Sequence, residues 1–366
     1  MANSSNLINK KVLLGMSGGV DSSVAALLLK NAGYEVIGAT MQLHDYCNNE
    51  DLVKDAKEVA TKLGIEHHVF NMEEQFNRYV IDYFVKEYEQ GRTPNPCIAC
   101  NKYLKFGAMV DKAKEMDIPY IATGHYAIIV NKSGKFFLKK AKDEKKDQSY
   151  VLYNLTQEFL SQTLFPLGNY NKEEIREIAK RNNLNVEKKP ESQEICFIPD
   201  NNHFRFISEN AHNTIRKGEI LDTNGNILGY HEGTAKYTIG QRKGLGVSSN
   251  RPLFVVDIVE ENNQIILGSN DDLFSKELIA SNCNWISGEY PKKEYTVKAK
   301  IRYKAQEQEA IIFPLAEGKI KVVFTQPQRA ITKGQSIVFY DKDYVLGGGI
   351  ISGVCREVEL KHGNPG

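Results

Sequence analysis

Eight consecutive residues constrain this chain most: Gly15-Met16-Ser17-Gly18-Gly19-Val20-Asp21-Ser22. The apolar run Val12-Leu13-Leu14 precedes them and a second, Val24 to Leu29, follows. That order reads as strand, tight loop, helix. The glycines and serines let backbone N–H groups turn inward around an anion, and the helix start adds the positive end of its dipole. The stretch is therefore read as a phosphate cradle at the edge of a sheet. It is not a Walker loop, because no Gly-Lys-Ser/Thr follows the glycines. An ordinary glycine-rich strand-to-helix turn is the plainer alternative, and the full Ser-Gly-Gly-Val-Asp-Ser outweighs it.

Around the cradle, strand and helix alternate. Val12–Met16 reads as a strand, Ser22–Asn31 as a helix stopped by Gly33, and Glu35–Met41 as the next strand. Leu52, Val53, Ala56, Val59, Ala60 and Leu63 recur at helical spacing up to Gly64. His67–Phe70 is a short strand, Glu73–Glu89 a long helix, Leu104 to Ala113 another helix, and Tyr120–Thr123 a strand. Strands separated by helices of this length require parallel pairing with right-handed crossovers. The predicted class is doubly wound α/β, with the ligand at the carboxyl ends of the strands. Ala127–Leu138 reads as a hairpin on the edge of this domain, Lys139–Lys146 as a charged loop, Gln157–Thr163 and Lys172–Asn182 as helices, and 190–199 as irregular. After about residue 210 short β-type runs take over, first as a small β-rich module and then as a set that suits a small barrel. Tyr295–Tyr303 alternates strictly, and Gly347-Gly348-Gly349 is expected to mark a barrel bend. The expected units are 1–210, 211–278 and 279–366.

With 366 residues, 41% of them apolar and 25% charged, the composition is that of a globular chain large enough for two or three domains. The net charge of +1 leaves a polyanion only a local basic face to meet. No signal peptide is readable, and the longest apolar runs fall far short of a membrane span. The expectation is a cytoplasmic protein without membrane partners.

Cys97 and Cys100 sit in Thr93-Pro94-Asn95-Pro96-Cys97-Ile98-Ala99-Cys100-Asn101-Lys102, with a helix expected to open near Ala99. A thiol there, beside Lys102 and near Lys105, is expected to ionise readily, and the proline-rich loop argues against burial. Cys196 lies in Ile195-Cys196-Phe197-Ile198. A zinc site lacks its second pair of ligands. Between thiol or cluster chemistry and an inert role, spacing alone is evenly balanced for Cys97 and Cys100. Cys47, Cys283 and Cys355 read as inert core residues.

Five motifs occur in one order: the Ser-Gly-Gly-Val-Asp-Ser cradle, Thr-Pro-Asn-Pro-x-x-x-Cys-Asn-Lys, Ala-Thr-Gly-His-Tyr, Lys-Asp-Gln-Ser-Tyr and Ile-Cys-Phe-Ile. The cradle resembles the PP-loop of enzymes that cleave ATP between its α- and β-phosphates. Together the motifs resemble the bacterial tRNA-specific 2-thiouridylase family, called MnmA or TrmU, over nearly the whole chain. The resemblance implies a PP-loop domain, a small central β-rich domain and a C-terminal, tRNA-binding β-barrel. It implies ATP held by Gly15, Met16, Ser17, Gly18, Gly19, Val20, Asp21 and Ser22, with Met41 and Gly124 at the adenine and Mg²⁺ on the triphosphate. It implies Cys100 as nucleophile and Cys196 as persulfide carrier. Asn95, Pro96 and Cys97 would face the target base. His125, Lys146, Asp147, Gln148, Arg302, Tyr303 and Gln335 fall where the family touches tRNA.

The implied reaction adenylates the C2 oxygen of the wobble uridine and replaces it with sulfur, supplied by a cysteine desulfurase or relay protein. Whether the persulfide attacks first, or Cys100 first frees hydrosulfide from it, stays open. Some family members carry Asp at the position of Cys97. The third thiol here raises an alternative in which Cys97, Cys100 and Cys196 hold a [4Fe–4S] cluster. Lys132, Lys135, Lys139, Lys140, Lys142, Lys145 and Lys146, with Lys298, Lys300 and Arg302, form a candidate phosphate track, and Gln241-Arg242-Lys243 is a candidate extension of it. Rival readings are another adenylating PP-loop enzyme, such as an amidotransferase or a tRNA lysidine synthetase, and an RNA-binding module that uses ATP structurally. The paired cysteines separate the first from a thiolase.

Overall fold

The structure, a computed structural model, describes residues 10–43, 49–184, 195–211 and 215–355. Cys47 and residues 190–194 lie outside the described residues. In the first segment the strands are β1 (Lys11–Gly15), β2 (Glu35–Gln42), β3 (Glu66–Asn71), β4 (Tyr120–Ala122), the hairpin β5 (Ala127–Lys132) and β6 (Lys135–Lys140), and β7 (Thr163–Leu164). β3, β2, β1, β4 and β7 pair in that order, all parallel. β1 shows why the sheet is covered on both faces. Val12 and Leu14 enter one core with Val24, Ala25 and Ala26 of helix Val20–Asn31 and with Ile175 and Ala179 of helix Lys172–Arg181. Leu13 enters the other, with Phe106, Met109 and Val110. A strand buried on both faces is apolar at every position, which is how Val12-Leu13-Leu14 reads. Helix Val20–Asn31 is buried almost all round because a second helix lies over it.

The sheet order reverses between β1 and β4, and the loops leaving both lie side by side at their carboxyl ends. This is the crevice where ligands bind in open parallel sheets. Gly33 (φ +82°) and Gly64 (φ +62°) end their helices in the left-handed conformation, as expected.

β8 (Gly218–Asp222), β9 (Ile227–His231), β10 (Phe254–Val259) and β11 (Gln264–Gly268) form a separate sheet in the order β10-β11-β8-β9. β12 (Phe274–Trp285), β13 (Tyr295–Lys300), β14 (Gln308–Pro314), β15 (Ile320–Arg329), β16 (Ser336–Asp341) and β17 (Tyr344–Cys355) follow. They pair in the order β12-β15-β14-β13-β16-β17, and β12 also pairs with β17, which closes a six-stranded barrel. Val297, Ala299 and Ile301 point into its core, as the alternation of β13 predicts.

Two expectations need correction. The hairpin β5–β6 does not extend the parallel sheet. β6 pairs with β17, through Leu138–Val345 and Lys139–Tyr344, so the hairpin belongs to the barrel's sheet. Its core is shared accordingly: Ala127 and Leu138 pack in one cluster with Ile286, Val338 and Val345. The glycine triplet marks a close approach rather than a simple bend. β12 carries one extra residue between Ser281 and Asn284, around Asn282 at φ +51°. A Cβ on Gly347 would lie 2.2 Å from the Asn284 carbonyl oxygen, and one on Gly349 would lie 2.6 Å from Cys283 Sγ. The bulge needs side-chain-free backbone opposite it.

Candidate active site

The cradle is built from backbone. Met16 N–H donates to the Ala39 carbonyl at 2.8 Å, and Thr40 Oγ1 donates to the Met16 carbonyl at 2.8 Å, pinning the loop to β2. Gly18 has φ +68°, and a Cβ there would lie 2.4 Å from Asp55 Cβ. Gly19 caps the helix in an extended conformation with no side-chain cap. Ser22 Oγ donates to the Gly19 carbonyl and accepts from Ser17 N–H, each at 3.2 Å. Opposite, a Cβ on Gly124 would lie 3.0 Å from Ser22 N and 3.1 Å from Asp21 C. Two loops thus meet with no room for a side chain, beside a helix N-terminus without a side-chain cap. This donor set fits a phosphate group. Met41 lies at the same end of β2, half-buried.

Asp21 is the acidic group of the cradle. Lys172 Nζ donates to its two carboxylate oxygens at 2.9 and 2.8 Å, and the Tyr126 hydroxyl donates at 2.6 Å. Lys172 is 5% exposed. Sequence reasoning missed it. Asn171 and Glu174 form a capping box that announces a helix start, but nothing local says where the Lys172 side chain goes.

Cys97 and Cys100 occupy the first turn of a helix that opens at Pro96, earlier than expected. Asn95 caps it by accepting from Cys97 N–H at 3.1 Å, and Pro96 takes the first helical position. The helix runs on through a π-helical stretch, Asn101–Ala108, to Met109–Glu115. Cys97 is exposed and Cys100 is buried. Cys100 packs in a cluster with Phe76, Phe84, Leu104, Phe197 and Ile198. The expectation of a readily ionised thiol is overturned: burial pushes Cys100 up to about 12, against the opposing charge of Lys105. Cys97 is also pushed up, by the protein mass around it, with Lys105 again opposing. Desolvation outweighs the helix start and the lysine.

Cys196 is exposed, on a segment anchored by Phe197, whose ring packs against Phe76, Phe84 and Phe206. Charge on Cys196 acts on both Cys97 and Cys100, so the three thiols share one neighbourhood. None of the five described cysteines is joined in a disulfide in the structure. Cys283 is half-buried and pushed up to about 12 by burial, in line with an inert role. Cys355 is exposed at the end of β17, not a core residue. Among the described residues no three Cys, His, Asp or Glu side chains are grouped to hold a metal ion.

The remaining candidates divide between two places. His125 is buried, with Nδ1 2.7 Å from Thr123 Oγ1 and its ring against Phe106 and Phe165. Burial, then the charge of Lys105, holds its imidazole well below the ordinary range, so it is neutral. Lys146 ends the charged loop, and Asp147 and Gln148 follow it. Asp147 accepts from Ala141 N–H at 2.9 Å and from Ser149 Oγ at 2.7 Å, and burial raises it. Arg302 and Tyr303 leave the end of β13. The Tyr303 hydroxyl donates to the Asp147 carbonyl at 3.2 Å. Burial raises its phenol, and charges on Asp147 and Cys97 add to this, which brings the barrel rim to the thiols. Gln335 Nε2 donates to the Thr93 carbonyl at 2.8 Å, and Thr93 N–H donates to the Lys333 carbonyl at 2.9 Å. The loop that carries Asn95 and Pro96 is thus tied to the barrel.

The lysine run is less cationic than its sequence suggests. Lys135 pairs with Glu289, Lys139 with Asp343, Lys140 with Glu307 and Lys142 with Glu174. These acids come from distant elements and are not visible within the run.

Three family models match: the tRNA methyl transferase HUP domain over residues 10–200, the tRNA methyl transferase PRC-barrel domain over 205–269, and the aminomethyltransferase beta-barrel domain over 275–351. The chain is 55% identical over 361 residues to tRNA-specific 2-thiouridylase MnmA 2 of Caldanaerobacter subterraneus subsp. tengcongensis, covering 95% of this chain and 99% of that protein. It is 54% identical over 361 residues to tRNA-specific 2-thiouridylase MnmA 1 of Thermoanaerobacter sp., with the same coverage. It is 52% identical over 356 residues to tRNA-specific 2-thiouridylase MnmA 2 of Clostridium tetani, covering 94% and 99%.

Proposed function

This chain belongs to the tRNA-specific 2-thiouridylase family, and from that premise we propose that it 2-thiolates the wobble uridine of tRNA by adenylation and persulfide transfer. The coarse activity, transfer of sulfur to a tRNA uridine, follows from membership. The observation that supports the finer reading is the presence, in one domain, of an anion cradle at Gly124 and Ser22 and of three mutually interacting thiols.

The uridine C2 oxygen is a poor leaving group. Its attack on the α-phosphorus of ATP releases pyrophosphate and converts it to an AMP ester. The terminal sulfur of a Cys196 persulfide then attacks C2, and AMP departs with the oxygen. The Cys100 thiolate attacks Cys196 Sγ, breaking the S–S bond, leaving sulfur on the base and a Cys100–Cys196 disulfide. A thiol reductant resets the pair, and a sulfur-donating protein reloads Cys196. In the reverse order, Cys100 frees hydrosulfide before the attack on C2.

The backbone of Gly15–Ser22 would hold the phosphates, with Met41 and Gly124 at the adenine. Mg²⁺ bound to the triphosphate would screen its charge; Asp21 is the carboxylate at hand. Asn95, Pro96 and Cys97 would face the extruded base. Lys146, Asp147, Gln148, Arg302, Tyr303 and Gln335 would hold the surrounding RNA, with His125 supporting them from the interior. Burial keeps Cys100 protonated in the free enzyme, which protects an incoming persulfide from premature resolution. The matched models carry a methyl-transferase description. Methyl transfer has no use for a phosphate cradle, so the site favours adenylation and sulfur.

The test incubates the protein with ATP, Mg²⁺, a cysteine desulfurase with cysteine, and unmodified tRNA, and measures AMP and thionucleoside. The two should appear in equal amounts. Cys100→Ser should abolish thiolation while ATP still binds; full thiolation by that variant would sink the assignment.

A further inference from the structure

Asp21 is held by two residues that are themselves held elsewhere. Lys172 reaches Asp21 with its side chain, while its backbone N–H donates to Asp143 Oδ2 at 3.0 Å. Tyr126 reaches Asp21 with its hydroxyl. Its backbone is bracketed by Gln148: Tyr126 N–H donates to Gln148 Oε1 at 2.9 Å, and Gln148 N–H donates to the Tyr126 carbonyl at 2.9 Å. Asp143 also orders the turn between these points. Its Oδ1 accepts from Lys145 N–H at 3.0 Å, and its carbonyl accepts from Lys146 N–H at 3.1 Å. The segment 143–148 is therefore one residue away from the cradle's carboxylate by two separate routes. Both intermediaries are buried, Lys172 at 5% and Tyr126 at 2% exposed, and the Lys172 ammonium lies 5.8 Å from the Tyr126 ring. Close-packed intermediaries transmit a displacement instead of absorbing it.

We propose that Lys172 and Tyr126 are positioning residues that couple the RNA-facing segment to the ATP cradle, so that RNA and nucleotide each tighten the binding of the other. The proposal rests on the reading above, in which Lys146, Asp147 and Gln148 touch RNA and Gly15–Ser22 holds ATP. A ligand that fixes Gln148 and the Asp143 turn also fixes Asp21, and the cost of ordering that path is met once for two ligands. Linkage then requires the same factor in both directions.

The test titrates the full-length protein with a fluorescent, non-hydrolysable ATP analogue and Mg²⁺, with and without an anticodon stem-loop RNA. RNA should raise analogue affinity about tenfold in the unaltered protein, within the usual range of coupled sites. The analogue should raise RNA affinity by the same factor. Tyr126→Phe removes one route, and the factor should fall to about threefold, the loss of one hydrogen bond to a charged group shared between two routes. Tyr126→Phe with Asp143→Ala removes both, and the factor should approach one while each ligand alone still binds. Tyr126→Phe alone decides the matter should the double variant fail to fold. A factor of one in the unaltered protein, with both ligands bound, overturns the coupling. So does an undiminished factor in Tyr126→Phe. Absence of any RNA binding both with and without nucleotide is a distinct outcome, and it overturns the tRNA reading together with the coupling.

Discussion

The ionisation of Cys100 can be read directly from its reactivity. In the folded protein its thiol is pushed up to about 12 from an ordinary value of 9.0, by burial among Phe76, Phe84 and Phe197. That difference corresponds to about 4 kcal/mol against the thiolate. At pH 8 roughly one ordinary thiol in ten is ionised, but only roughly one Cys100 in ten thousand. Thiolate is the species that alkylates. Labelling the native protein with iodoacetamide from pH 6 to pH 10.5, with site-by-site mass spectrometry, should give a Cys100 rate that rises tenfold per pH unit with no plateau. In the denatured protein the same cysteine should level off near pH 9. The profile's shape is the readout, because restricted access lowers the rate at every pH equally. Sub-denaturing urea speeds only labelling that proceeds through opening, and so identifies that route. A urea-independent plateau for native Cys100 below pH 9.5 would refute the argument that burial outweighs Lys105 and the helix start.

Lys105→Gln should slow Cys100 alkylation further, since Lys105 is the cation opposing the upward shift; the same change should raise the His125 pKa in an NMR titration, since Lys105 helps depress it. Gly124→Ala places a methyl 3.0 Å from Ser22 N, against backbone that cannot yield cheaply. ATP affinity should fall at least about tenfold, and stability by ~1–3 kcal/mol, in calorimetry and denaturant titration. Binding of an anticodon stem-loop should weaken with salt, but with a slope below that of seven phosphate contacts. Four of the seven lysines from Lys132 to Lys146 already face carboxylates, and each lost contact removes about 0.7 from the slope on single strands. A slope of seven full contacts would show those ion pairs to be broken in the complex.

What could be read from the sequence was what is local. A glycine that must take φ +68° and a helix start without a side-chain cap are written in Gly18-Gly19-Val20, and the strand, loop and helix stand where expected. The cap at Asn95 with Pro96 behind it is equally local, and the helix differs from expectation only in where it opens. The state of Cys100 is not local. Its neighbours Phe76 and Phe84 share one helical stretch but Phe197 comes from far along the chain, and burial is a property of their meeting. Lys172 likewise belongs to the cradle only because its helix packs on Val20–Asn31. Alternation along Ala127–Lys140 predicts a hairpin correctly but says nothing of which edge will accept it.

That hairpin has a consequence for how the chain comes off the ribosome. β5 and β6 are made early, between strands of the parallel sheet, but the edge that β6 pairs with is β17, near the end of the described chain. Until that last strand is synthesised, the hairpin has only its own two strands, which is marginal in water, and Leu138 and Ala127 lack the barrel residues that cover them. Contacts of such wide sequence separation form late. The nascent first domain should therefore remain open to protease near β6 until translation is complete. A chain truncated after the first domain should expose the same edge for good, with aggregation through β6 as its failure.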